Sequence, residues 1–386
     1  MPAERGWTSV PGRMTSKLLG SAVRVGSFVV VGVLVCGFGV VDARLQAGTV
    51  QLRGTAYEFN NVHTLLRGAT IRIAEFPELR ATVQPDGRYD LQVPDHARVT
   101  PYIVDPGYHA IYLQTFTTNG EDLVNVNFQT PTEAVYRGLV ALLKVPVDSQ
   151  GNLAACAIVS TFSTRNVRDL SFAQFIAYGA HGVAGATASA TPVLPTPVYF
   201  NQNVVPDPAQ TASSKDGGVV WSNVPAGVYT ITAHDPGTRF ASFVATCRPG
   251  RVVNANPPWG LYELPLPNHA EILADWSVRG TQTQATSLGL RGMPARAVVR
   301  LSCVGRGCLF SARTFRPRST AMDIRRATGG AKLRLTAGDV LQIAVSAHAF
   351  NGLVVRWTAA KGRAPTRTTL CVPLGYATPR RHCPTA

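Results

Sequence analysis

Asp216-Gly217-Gly218-Val219-Val220-Trp221-Ser222-Asn223-Val224-Pro225-Ala226-Gly227-Val228-Tyr229-Thr230-Ile231-Thr232-Ala233 is the stretch on which the fold turns. Asp-Gly is a turn signal, because Gly accepts a positive φ at no steric cost. Apolar residues follow it, Pro225-Ala226-Gly227 interrupts them, and Tyr229 and Ile231 then alternate with threonines as in a half-buried strand. Upstream stands Gly185-Ala186-Thr187, and the same order occurs earlier, from Gly68-Ala69-Thr70 to Asp86-Gly87-Arg88-Tyr89 and Pro106-Gly107-Tyr108. A small β-sandwich is written twice.

The match to a known family lies in Val224-Pro225-Ala226-Gly227-Val228-Tyr229-Thr230-Ile231. This run resembles the carboxypeptidase regulatory-like domain, a transthyretin-like β-sandwich. The first repeat keeps Asp86-Gly87-Arg88-Tyr89, but Val93-Pro94-Asp95 lacks the Gly two residues after the Pro. The resemblance implies a fold widely used to hold carbohydrate. The zinc peptidases that some members accompany need two histidines and a glutamate around the metal plus a catalytic glutamate, and no room remains here for that domain.

Around the repeats the chain divides into residues 1–47, 48–130, 131–182, 183–277 and 278–386. In the first segment Arg13, Lys17 and Arg24 precede the uncharged run 25–41, with small residues at Ala43 and Ala47. That is the form of an export signal, or of an N-terminal membrane anchor if it is retained. Val35 before Cys36 is too large for a lipid-modified cysteine.

Six cysteines follow Cys36. Six allow 15 pairings, but Cys303 and Cys308 flank a short turn, Cys371 and Cys383 bracket the C-terminal tail, and Cys156 and Cys247 remain for each other. No CxxC pair exists, so disulfides fit better than zinc.

Segment 131–182 reads as a helical insertion packed on the sandwiches. Thr130 is placed to cap a helix with Pro131 first and Glu133 closing a capping box, and Val135, Leu139, Leu142 and Leu143 fall on its face. Ser171 caps a second helix over 172–178, and 156–162 reads as a strand between them. The last segment has strands at 298–303 and 340–346, with Asn351-Gly352 as a hairpin turn. Its endings resemble a C-terminal β module recurrent in secreted actinobacterial proteins, one without an assigned activity. The expected fold is therefore all-β, with tandem transthyretin-like β-sandwiches, a small helical insertion and a C-terminal β-sandwich.

No catalytic constellation accompanies this architecture. HExxH, GxSxG, SxxK, P-loop and dinucleotide fingerprints are missing, so no catalytic residue, metal ligand or cofactor is expected. His109 reads as a solvent-facing strand residue, and Asn119-Gly120-Glu121-Asp122 as a solvated hairpin tip rather than a calcium loop. Aromatic faces are the handle for a sugar ligand. Trp221 and Tyr229 read as inward-facing, which leaves Trp259, after Asn256-Pro257-Pro258, as the best exposed candidate, with Tyr262 and Tyr108.

Charge is distributed unevenly. Residues 48–278 hold 14 Lys+Arg against 18 Asp+Glu, whereas 279–386 hold 18 against 2. Such a module attracts polyanions. No helix-turn-helix pattern or aromatic-interleaved basic stripe points to nucleic acid, so the expected partner is an extracellular glycan or anionic wall polymer. Three functions are compatible with the residues: a non-catalytic surface or structural binding protein, an extracellular polymer-acting enzyme, and a spacer presenting the basic module. The localisation that fits all three is secreted or cell envelope.

Overall fold

The computed structural model describes residues 48–329 and 333–383, and the segment 1–47, expected from sequence to be an export signal or membrane anchor, lies outside them. Strand pairing shows how the two repeats are built. In the first, Thr49–Glu58 pairs antiparallel with Arg88–Pro94 and parallel with Phe128–Thr130. Facing them, Pro101–Val104 lies between Thr70–Ile73 and Ile111–Tyr112. In the second, Cys156–Thr161 pairs antiparallel with Gly218–Val224 and parallel with Val252–Ala255. Facing those, Gly227–His234 lies between Thr187–Thr191 and Phe243–Cys247. The two sets correspond strand for strand. Cys156–Thr161, assigned by sequence to the helical insertion, therefore takes the place in the second repeat that Thr49–Glu58 takes in the first.

Period-2 burial explains the pairing. In Arg88–Pro94, Tyr89, Leu91 and Val93 are buried while Arg88, Asp90 and Gln92 are exposed. The turn before it has Pro85 and Asp86 at its centre, the Gly87 N–H donating to the Gln84 carbonyl at 2.9 Å, and Gly87 at φ 78°. Pro225-Ala226 does not close a hairpin. The strands on either side of it belong to different sheets, so it carries the chain across the sandwich, and the Tyr229 hydroxyl donates back to the Pro225 carbonyl at 3.1 Å. The matching crossing after Pro94 is longer, and His96 takes the left-handed conformation at φ 51°.

The repeats join edge to edge. Val252 and Val253 pair in parallel with Ile111 and Tyr112, which fuses one sheet from each sandwich into a sheet of nine strands. Because the facing sheet of the first repeat meets the opening sheet of the second, the union is head to tail.

The helix Glu133–Leu142 is capped by Thr132, whose side chain accepts from the Val135 N–H at 3.2 Å. Thr130, the expected cap, ends a strand instead, and its backbone groups belong to the sheet. The inward face differs from expectation as well: Tyr136 is buried, whereas Val135 and Leu142 are 40% and 51% exposed. The reason is His109, whose ring stacks on Tyr136 with centroids 3.4 Å apart. His109 is thus buried rather than solvent-facing, with Nδ1 3.3 Å from Glu133 Oε1. The second helix, Phe172–Tyr178, starts with a complete capping box between Ser171 and Gln174.

The C-terminal sandwich places Glu271–Arg279 and Gln282–Arg291 over a five-stranded sheet. In that sheet Val298–Val304, Val340–Ser346, Gly352–Ala360 and Arg363–Val372 follow one another in space. Leu301, Ile343, Val355 and Trp357 fill the core between the layers. The reversal before Gly352 is made by Ala349 at φ 65°, and Gly352 already belongs to the strand. Disulfides join Cys156 to Cys247, Cys303 to Cys308 and Cys371 to Cys383. Among the described residues no helix is long and apolar enough to cross a membrane.

Burial lowers the pKa of the His109 imidazole from its ordinary value, against an upward pull from Glu133. The unfolded chain then binds a proton more readily than the fold does, so the contribution is present above pH of about 6.5 and is lost as pH falls through the folded value. Thermal melts from pH 7 to pH 5 are expected to show falling stability. His109→Phe, which keeps a ring on Tyr136 but cannot titrate, is expected to flatten that slope; an unchanged slope would refute the assignment.

Candidate functional site: an arginine-lined cleft beside the basic sandwich

The two carboxylates of residues 279–386 are both consumed by nearby donors. Asp339 is buried and accepts from the Thr336 N–H at 2.7 Å, the Thr336 hydroxyl at 2.9 Å and the Gly307 N–H at 3.1 Å. Asp323 caps the short helix Ile324–Ala327 by accepting from the Arg326 N–H at 3.0 Å. Among the described residues, the Lys and Arg side chains of this segment find carboxylate partners only outside it, Glu271 for Arg291 and Glu121 for Arg380. Its remaining arginines therefore present uncompensated charge, on a planar fork suited to phosphate and carboxylate.

That charge borders a cleft of about 600 Å³, lined by Arg296, Arg316 and His348 together with Asp169, Gln174 and Tyr376. Its floor is apolar, from Val298, Ala344 and Val354 of the five-stranded sheet, where Ala344 and Val354 are register partners. At one end His348 Nδ1 lies 2.9 Å from Asp169 Oδ1. A ligand-sized cleft with an apolar floor, two arginines at its lining and its carboxylate Asp169 paired with His348 suits an anionic polymer whose backbone alternates charge with apolar ring or chain surface.

Behind the cleft lies Arg168, which is fully buried. Its guanidinium carbon sits 4.0 Å from the ring centre of Trp259, 4.7 Å from Tyr262 and 5.7 Å from Tyr376. None of its three guanidine nitrogens has a hydrogen-bond partner of standard geometry, so the aromatic faces are what solvates the cation. Burial pushes the Tyr376 phenol up, and nearby Arg168 pulls it back. Tyr376 also lies under Arg380, 4.6 Å away, and Arg380 is paired with Glu121. The tail is held for this by reciprocal backbone hydrogen bonds of 2.7 Å between Cys371 and Arg380.

These contacts relocate the residues singled out by sequence. Trp259 is 6% exposed, packs in the first repeat's core edge-on to Phe116, and donates from Nε1 to the Val124 carbonyl at 3.0 Å. It is no exposed platform, because the Pro-Pro loop folds back over the first sandwich instead of projecting from the second. Tyr262 joins it around Arg168, while Tyr108 stands apart and donates to Glu58 Oε2 at 2.7 Å. Trp221 and Tyr229 are buried. Glu121 is buried too rather than solvated, and the Asp122 carboxylate accepts from the Gln51 N–H at 2.9 Å. None of Arg168, Arg296, Arg316 and Tyr376 carried a motif; the only signal for Arg296, Arg316 and Tyr376 was their place in the basic segment, and Arg168, in the insertion, had none.

No family model matches the chain, and no curated protein does. Among solved structures, the Bacillus anthracis TIE protein is similar at 11% identity and a TM-score of 0.17, covering 84% of this chain and 48% of its own. This chain thus spans about half the length of that protein. A streptococcal ancillary pilin has 9% identity and a TM-score of 0.18, covering 83% of this chain and 95% of its own. A DUF3823 family protein from Bacteroides ovatus has 10% identity and a TM-score of 0.16, covering 57% and 99%. At these TM-scores the likenesses carry no argument about the site.

Gly375 tests the packing around Arg168. It adopts φ 83°, and a Cβ there would stand 2.9 Å from the Arg168 guanidinium carbon. Gly375→Ala is expected to destabilise the protein by about 1 to 2 kcal/mol in denaturant titration, through left-handed strain and displacement of the guanidinium. An effect near zero would mean that the tail does not pack as described.

Proposed function

We propose that the chain is a non-catalytic protein of the cell exterior that binds anionic wall polymer through its arginine-rich C-terminal sandwich. The observation that carries this reading is the one-sided charge of residues 279–386, where 18 basic residues meet two carboxylates already consumed by local donors. Three disulfides support an oxidising, extracytoplasmic setting. The N-terminal run 25–41 supplies export, by a cleaved signal or a retained anchor. The two repeats, read as carboxypeptidase regulatory-like sandwiches, serve as a stiff support for the basic module. Sugar or polyol units of the polymer lie on the apolar floor of the cleft while their charged groups meet Arg296 and Arg316. With Trp259 buried and Tyr262 partly exposed against Arg168, recognition in this reading rests on the charged groups rather than on neutral sugar stacking.

Purified poly(glycerol phosphate) and neutral dextran, titrated against the exported protein in rising salt, test the proposal. The expected result is retention of the phosphate polymer alone, weakening linearly on logarithmic axes as salt rises. Arg296→Gln with Arg316→Gln is expected to weaken binding about tenfold without changing the melting temperature. Equal retention of both polymers, or release of polymer fragments, would overturn the reading; the second result would favour an enzyme.

A further inference from the structure

The arginine-lined cleft occupies one end of the C-terminal sandwich, where Val298 and Ser346 are register partners. Six residues along the same strand, about 20 Å away at the usual strand rise, Val304 pairs with Val340, and Val340 with Thr358. Four connections gather at this far end: 279–282, 304–311, 336–339 and 360–363. Hydrogen bonds tie them together. The Gly338 N–H donates to the Ala359 carbonyl at 3.0 Å, and the Thr283 hydroxyl to the Arg363 carbonyl at 3.5 Å. The four connections carry Arg279, Arg306, Lys361 and Arg363, all exposed, and a single carboxylate, Asp339, which is buried and already bonded to Thr336 and Gly307.

The loop 304–311 adds apolar side chains to that charge. Val304 and Leu309 are 71% and 69% exposed, and among the described residues only Val193 is a more exposed large hydrophobic. One exposed apolar residue needs no explanation, but two on a loop held this firmly do. The disulfide Cys303–Cys308 closes the loop, Cys308 and Phe310 pack on the core beneath it, and the Gly307 N–H donates to Asp339 at 3.1 Å. Gly305 takes φ 133°, and a Cβ on it or on Gly307 would run into the Asp339 carboxylate. The loop is thus pinned from below and presents Val304 and Leu309 to solvent.

A bilayer containing anionic lipid has the complementary order, negative headgroups outside and hydrocarbon beneath. A phosphate polymer offers charge but no hydrocarbon layer for Val304 and Leu309, and an uncharged apolar partner leaves the cations unmatched. We propose that the far end of the C-terminal sandwich docks on an anionic lipid bilayer, with Val304 and Leu309 entering the interface while Arg306, Lys361 and Arg363 meet headgroup phosphates. Docking there leaves the cleft at the opposite end of the sheet free for polymer.

Sedimentation of the full chain with vesicles of phosphatidylcholine, and with vesicles of equal parts phosphatidylcholine and phosphatidylglycerol, tests this. Attachment to the neutral vesicles, which the run 25–41 supplies if it is retained, sets the baseline. Attachment to the anionic vesicles is expected to be at least tenfold tighter and to weaken with salt. Val304→Ser with Leu309→Ser, and separately Arg306→Gln with Lys361→Gln and Arg363→Gln, are each expected to lose about tenfold on anionic vesicles. The melting temperature is expected to hold, because all five side chains are exposed. Arg296→Gln with Arg316→Gln is expected to leave attachment unchanged, which separates this site from the cleft. A second reading does not depend on the N-terminal run: in Leu309→Trp, indole emission is expected to be quenched by brominated acyl chains of anionic vesicles beyond what the wild type shows. Equal attachment to both vesicles, full anionic attachment by either tip variant, loss in the Arg296 and Arg316 variant, or no added quenching would overturn the proposal. So would a dimer in solution that Leu309→Ser abolishes, which would make a second copy of the chain the occupant.

Discussion

Arg168 is a cation taken wholly out of water and given aromatic faces in place of carboxylates. Moving a guanidinium from water into protein costs several kcal/mol, and each well-placed ring returns about 1 to 2. No single ring suffices, so the arrangement is favourable only when Trp259, Tyr262 and Tyr376 are all in place. Those rings come from distant parts of the chain: Trp259 and Tyr262 lie just past the last strand of the second repeat, and Tyr376 belongs to the C-terminal tail. Trp259 in turn is seated in the first repeat's core. One side chain thereby makes the positions of both repeats and the basic sandwich depend on one another.

The functional consequence is geometric. The arginine-lined cleft has one wall from the segment that bears Arg168 and another from the basic sandwich, so its width is set by the contacts behind it. Arg380 and the buried Glu121 add a partly buried ion pair between tail and first repeat. Burial lowers the pKa of Arg380, a desolvation cost that its pairing with Glu121 offsets. A surface rich in arginine would otherwise repel itself. Here the two carboxylates of that module hold loops, and its positive charge is left without internal compensation.

Elements with a short-range cause were readable from sequence. The turn at Pro85-Asp86-Gly87, the capping box at Ser171 and Gln174, and the alternation in Arg88–Pro94 each arise from residues within a few positions. The disulfides were readable too, Cys303–Cys308 and Cys371–Cys383 from their short spacings and Cys156–Cys247, 91 positions apart, because those two alone remained. Features set at long range escaped. Cys156–Thr161 carries no repeat motif, and its role is fixed by partners near residues 220 and 253. His109 looked exposed because the ring that covers it arrives on a helix 27 positions later, and Glu121 looked solvated because its partner lies 259 positions away. The candidate site shows the same division. Basic character was visible in composition, but which arginines line the cleft depends on how the insertion meets the five-stranded sheet.

Differential scanning calorimetry of the intact chain beside Arg168→Ala tests the coupling most directly. The account predicts that the wild type unfolds in one transition, with calorimetric and van't Hoff enthalpies equal, and that the variant separates into two, the basic sandwich melting apart from the repeats. A variant that still melts in a single transition at the wild-type temperature would contradict it.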